Sequence, residues 1–176
     1  MPELQFPAAS YILIIASAFS FVLAHTAWEK RPASGAAELM VILLGCGIWS
    51  LTYGIEQMLV TLSGKTVATI FTYIGILILP AAWFAFGIRY TGKGAWLSTW
   101  KAAWLFIMPV LTLIALATNP LHHLYYLSSG LEEINGFQQH VVVHGPFFWL
   151  HTIYSYALLI VGKHAPAGDR VPARRP

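Results

Sequence analysis

The chain is constrained most by five stretches that run the length of a bilayer crossing with hardly a charge in them. A hydrocarbon core of ~30 Å takes about 20 helical residues to cross. Runs close to that length occupy residues 6–28, 39–60, 66–88, 102–118 and 146–162, the last being the shortest. Inside hydrocarbon an unpaired backbone N–H or C=O is costly, so such runs form helices or the strands of a closed barrel. Barrel strands alternate polar and apolar residues, and a run such as Tyr11-Ile12-Leu13-Ile14-Ile15 does not. The expectation is an all-α integral membrane bundle of about five helices. Composition agrees, since 57% of residues are hydrophobic and only 10% charged, against ~25% charged in a soluble domain. The net charge of +3 is too weak and scattered for a nucleic-acid partner. One cysteine, Cys46, excludes an intramolecular disulfide, and no Cys/His pair has zinc-site spacing. Helix packing must hold the bundle together.

Glu3 without a basic n-region argues for a first helix that is retained rather than cleaved. Glu38 bounds the second span and Glu56 interrupts it near its far end. Arg89 closes the third, where Pro80 predicts a kink. The fourth is kinked or begun at Pro109 and ended by Asn119-Pro120, and the fifth starts at Gly145-Pro146, proline suiting the first helical position. Ala16, Ser20 and Ala24 in the first helix, and Cys46, Ser50 and Gly54 in the second, form ladders of small residues that would allow close approach. Chance in an Ala/Gly-rich sequence explains them equally well.

Direction follows from Lys and Arg in the connections. Taking alternate connections together, nine of the ten basic residues fall on one side, and Lys65 stands alone on the other. The N-terminus and the fourth connection, residues 121–145, are therefore expected outside, and the C-terminus in the cytoplasm of a multi-pass cell-membrane protein. Trp96, Trp100 and Trp104, spaced i, i+4 beside Lys93 and Lys101, read as an interfacial anchor.

An ionisable group in a membrane helix is a functional candidate by default, which singles out Glu56. Near the outer end of its helix it could instead reach water or pair with Lys65. Asn119 is a ligand candidate or a cap of a helix broken by Pro120. The fourth connection and the helix after it hold five of the seven histidines: His122, His123, His140, His144 and His151. They could bind a metal or haem or sense outside pH, but their spacing is no metal signature. His140 and His144 would share a helix face, with Gly145-Pro146 separating them from His151. No metal site or cofactor is expected. The chain has no G-x-S-x-G elbow, no phosphate-binding G-x-x-x-x-G-K, no H-E-x-x-H, and no lysine deep in a late helix for retinal. These absences argue against an enzyme.

Two runs carry a resemblance. Thr118-Asn119-Pro120-Leu121-His122-His123-Leu124-Tyr125-Tyr126 is followed some twenty residues later by Gly145-Pro146-Phe147-Phe148-Trp149-Leu150-His151-Thr152-Ile153-Tyr154-Ser155-Tyr156. Together with Trp83-Phe84-Ala85-Phe86 leading to Arg89-Tyr90-Thr91-Gly92, this order resembles the N-terminal seven-transmembrane region of bacterial and archaeal sensor histidine kinases, over residues 37–162. The resemblance implies a sensory input module and places Asn119, His122, His123, Trp149, His151 and Tyr154 around an outer pocket. It breaks off after Gly162, where residues 163–176 have no apolar run. Helices six and seven and every kinase box are missing.

The expectation is thus a truncated, non-catalytic sensory module over residues 1–162, with a basic, disordered cytoplasmic tail at 163–176. It would receive a small-molecule signal at its outer face through Glu56 and the residues just named, and act through a homodimer or a kinase partner. The rival readings are a small His-rich haem- or metal-binding redox protein and a transporter fragment in which Glu56 matters most.

Overall fold

A computed structural model describes residues 4–92 and 94–163. The first long helices are α1 (Ala8–Glu29), α2 (Ala36–Met58) and α3 (Leu62–Tyr90). A short 3-10 turn, Gly94–Trp96, leads to α4 (Thr99–Trp104), α5 (Ile107–Ala117) and the single turn α6 (Asn119–His122). Two strands follow, β1 (Tyr126–Ile134) and β2 (Phe137–His144), and then α7 (Pro146–Lys163), with proline at its first position as expected. Among the described residues four segments are long and apolar enough to cross a membrane: α1, α2, α3 and Trp100–Ala117. The 18-residue α7 is not one of them, its apolar run being broken by His151, Thr152, Tyr154, Ser155 and Tyr156. The tail expected beyond Lys163, like Lys93, lies outside the described residues.

Small residues set the packing. Ser10, Ser17 and Ala24 form a buried seam of seven-residue period on α1. Helix α1 meets α2 at Gly47, which lies under the Phe21 ring, and at Gly54, beside Leu13, Ile14 and the Ser10 carbonyl. Of the predicted ladders, then, Ala24 and Gly54 lie in the interface, whereas Ala16 is exposed. A Cβ on Gly75 would strike Gly45 and Trp49 of α2, and one on Gly87 would strike Gly162 of α7. In both places glycine lets two helix backbones touch. The other face of α1 bears Ile12 (69% exposed) and Phe19 (66%), the side chains a lipid-facing surface requires.

The two ends of the bundle are distinct. At one, Gln5 Nε2 donates to the carbonyls of Gln57 (2.8 Å) and Gln138 (2.9 Å), and Gln138 N donates back to Gln5 Oε1 (2.8 Å). This ties the N-terminal segment, the end of α2 and β2 together. At the other, Arg89 Nε meets Glu38 Oε1 at 2.8 Å and Ser34 Oγ donates to the Arg89 carbonyl. The chain segments thus divide between two ends as the charge count grouped them. Helix α7 packs along the later part of α3: Phe147 and Phe148 lie near Ile70 and Tyr73, where Phe147 N donates to the Leu124 carbonyl, and Trp83 Nε1 donates to the Leu159 carbonyl toward the second end.

Three expectations are corrected. The fold is not all-α, because the fourth connection forms an antiparallel hairpin, and His140 and His144 lie on a strand rather than a helix. Asn135 and Gly136 both have positive φ, 54° and 80°, as a two-residue type I′ turn demands. The tryptophan stripe is broken: Trp100 and Trp104 share α4 and meet edge-on at 5.9 Å, while Trp96 stands in the 3-10 turn under the Lys101 ammonium. Ser98 caps α4 between them. Pro80 lies inside α3, and near Pro109 the fourth span is divided, α4 ending at Trp104 and α5 starting at Ile107.

Candidate ligand cavity and the Glu56–His140 pair

A cavity of about 430 Å³ opens at the hairpin end, between α3, the α5–α6 junction and β1. Leu62, Ile70, Leu116 and Leu127 form its apolar walls, and Thr66, Thr69, Ser128, Ser129, His123 and His140 supply polar groups. Of the residues expected at a site, Asn119 and His123 line it.

Asn119 is buried, and its Oδ1 accepts from Tyr125 N (2.9 Å) and Tyr126 N (3.0 Å) while Nδ2 donates to the Tyr126 carbonyl (3.0 Å). Its amide moors the start of β1 to α6. His123 adopts a left-handed φ of 52° as the C-cap of α6 and stands exposed at the cavity. His122 is absorbed locally. Leu124 N donates to Nδ1 (3.0 Å), so the ring proton sits on Nε2 and is donated to Thr118 Oγ1 (3.0 Å).

Glu56 lies in the last turn of α2, and Oε1 of its buried carboxylate is 3.6 Å from His140 Nδ1. The expected partner, Lys65, is fully buried, but its Nζ donates to the backbone carbonyl of Glu56 (2.8 Å) rather than to the carboxylate. A cation there meets the negative end of the α2 dipole. His140 also contacts Thr69 Oγ1 (3.3 Å) and Ser129 Oγ (2.8 Å). Counting histidines did not single it out; the Asn135-Gly136 turn, which sets the hairpin register, was the signal that could have.

Behind the cavity, Tyr126 Oη donates to Tyr73 Oη (3.2 Å), and the Tyr125 ring meets Tyr73 edge-on at 5.4 Å. Burial pushes the phenols of Tyr125 and Tyr126 far above their ordinary range. His144 stacks on Phe148 at 3.7 Å, and burial lowers its imidazole pKa.

The remaining candidates lie apart from the cavity. Trp149 is exposed beside Phe148. His151 is buried between α5 and α7. Thr112 spends its hydroxyl proton on the Met108 carbonyl (2.8 Å), so Oγ1 accepts from His151 Nδ1 (3.2 Å), and His151 Nε2 accepts from Ser155 Oγ (3.0 Å). Tyr154 Oη donates to the Leu105 carbonyl. Among the described residues no three His, Cys, Asp or Glu side chains converge to hold a metal, and the redox and transporter readings gain no support.

Fold and cavity together define a helical integral membrane protein with a ligand-sized hollow at one end of its bundle. Its family follows from comparison with known proteins: the family described as the N-terminal 7TM region of histidine kinase matches residues 12–165, and the chain belongs to it. That region serves histidine kinases as sensory input and is not catalytic by itself. No curated protein and no solved structure matches the chain.

Proposed function

We propose that the chain is a sensory module of the cell membrane, crossing it five times with its N-terminus outside, and that the hairpin-capped cavity is its receiving site. The observation that carries this is the cavity itself, of a size that takes small molecules, at the bundle end that holds only Lys65 among the described basic residues. Two features support α7 as the fifth crossing: its ends lie at opposite ends of the bundle, and its most polar residues face α5 or their own helix. A small molecule held between α3, α6 and the hairpin would act by favouring one arrangement of these elements over another. The response would leave through a second copy or a kinase partner on the cytoplasmic side.

Thiol labelling tests this. In a Cys46→Ser background, Ser128→Cys should react with a membrane-impermeant maleimide on intact cells, and Ser34→Cys only after lysis. The opposite pattern overturns the orientation. Protection of both positions until lysis overturns the outward-facing cavity.

A further inference from the structure

We propose that the hairpin-capped cavity also reads the proton, taken up at Nε2 of His140, and that the protonated ring clamps the hairpin to the end of α2. This rests on the reading of that end as outward-facing. Four side-chain links among the described residues moor the hairpin to the rest of the chain: Asn119 to the Tyr126 backbone, Gln5 to the Gln138 backbone, Tyr126 to Tyr73, and His140 to Glu56 and Thr69. Of these only an imidazole changes charge between about pH 5 and 8.

The bonds place its proton. Thr69 spends its hydroxyl proton on the Lys65 carbonyl (2.9 Å), so Oγ1 can only accept, and Nδ1 of His140 carries the hydrogen that points to Thr69 and Glu56. Nε2 is then bare and accepts from Ser129 Oγ. Both nitrogens are engaged, which leaves no free lone pair for a metal. A proton arriving through the cavity adds at Nε2, turns the Ser129 hydroxyl from donor to acceptor, and makes the ring an imidazolium.

Groups from three elements face that ring. From α2 comes the Glu56 carboxylate, with both side chains nearly buried at 6% and 7% exposure, where an ion pair is weakly screened. From α3 come Thr69 and Lys65; the ammonium opposes the new charge but lies on the Glu56 carbonyl. From β1 come Ser129 and the Tyr126 ring, 6.4 Å away. His123 stands across the cavity, and His144 lies further along β2 against Phe148.

The test uses the full chain in lipid nanodiscs, which expose both ends to buffer, with spin labels at Glu133→Cys and Ser63→Cys in the Cys46→Ser background. The distance distribution between hairpin tip and α3 should narrow between about pH 8 and about pH 5.5, and His140→Gln should lose this response. A distribution equal at both pH values overturns the proposal, as does a response that survives in His140→Gln. Should that variant fail to insert, Glu56→Gln keeps the titrating ring and removes its counter-charge; an undiminished narrowing there also overturns the proposal. The nanodisc experiment is blind to sidedness. Failure of Ser128 labelling on cells therefore sinks the outward reading alone, and failure of the pH response sinks the proton alone.

Discussion

Removing one hydroxyl at Tyr154 should loosen the junction between α4 and α5, and the size of the effect can be worked from the chain itself. Proline at 109 has no N–H, so the carbonyl four residues earlier, that of Leu105, loses the donor an unbroken helix would provide. Tyr154 Oη, 49 residues away on α7, donates to that carbonyl instead. Tyr154→Phe deletes the donor and keeps the ring. A buried carbonyl left bare costs ~1–3 kcal/mol in water-soluble proteins, but hydrogen bonds within membrane bundles average only ~0.6 kcal/mol, with a maximum near ~1.7. The expected loss is about 1 kcal/mol, roughly a fivefold shift of the folding equilibrium. Unfolding in mixed micelles with rising SDS, followed by circular dichroism, measures it. The decisive arm is a double-mutant cycle. Pro109→Ala restores an N–H able to reach Leu105, so in that background Tyr154→Phe should cost almost nothing. An equal cost in both backgrounds refutes the argument, because the hydroxyl would then be serving something other than the carbonyl that Pro109 frees.

Other residues of the hairpin end give sharper local tests. Gly136→Ala should destabilise the hairpin by ~1 kcal/mol, since Gly136 has φ +80° with nothing within 4 Å to obstruct a methyl group; Gly130→Ala, in equally open space without a positive φ, is the control. Amide exchange across residues 126–144 reads both. Asn119→Leu strips three bonds from the start of β1 and should cost about 2–3 kcal/mol, with exchange rising at Tyr125 and Tyr126 first; rates unchanged there would show that the strand is moored elsewhere. His144 acts on stability with a sign that can be worked out. Burial holds its pKa down, so the folded chain resists a proton that the unfolded chain accepts. Its contribution is complete above the unfolded value of ~6.5 and is lost as the pH falls through that value toward the lowered folded one. Unfolding measured across this range should therefore show less acid destabilisation in His144→Phe, and a slope equal to that of the unmodified chain would exclude His144 as the source. Because His140 is proposed to work in the opposite sense, the two histidines are to be varied separately.

What could be read in advance was whatever the bilayer itself demands. Four of the predicted spans match segments long and apolar enough to cross a membrane, to a few residues at each end, because an apolar run must satisfy its own backbone in lipid whatever its neighbours do. The hairpin is legible in residues 121–145 from Asn135-Gly136 before Val141-Val142-Val143, a hairpin signal in an aqueous connection that the cluster of histidines does not carry. The partner of Tyr154 was not legible, since a carbonyl freed at Leu105 finds its donor only through the packing of α7.

The candidate residues separate by a criterion that sequence cannot apply, namely where their hydrogen bonds go. Thr52, Thr66, Thr69, Thr72, Thr112, Thr118 and Thr152 each donate to the carbonyl four residues earlier, so most hydroxyls in the bundle serve their own helix. Asn119 and Tyr154 likewise serve backbone groups, and His122 binds Leu124 N and Thr118. An intramembrane polar residue is a functional candidate by default, yet these three are engaged in holding the chain's shape. Their substitution would change stability before it changed any response. Glu56 and His140 differ in kind: carboxylate and imidazole meet each other across two elements far apart in sequence, beside a cavity. Two ionisable side chains whose partner is one another can change the balance between arrangements of α2 and the hairpin when either changes charge, and a sensory module needs such a balance.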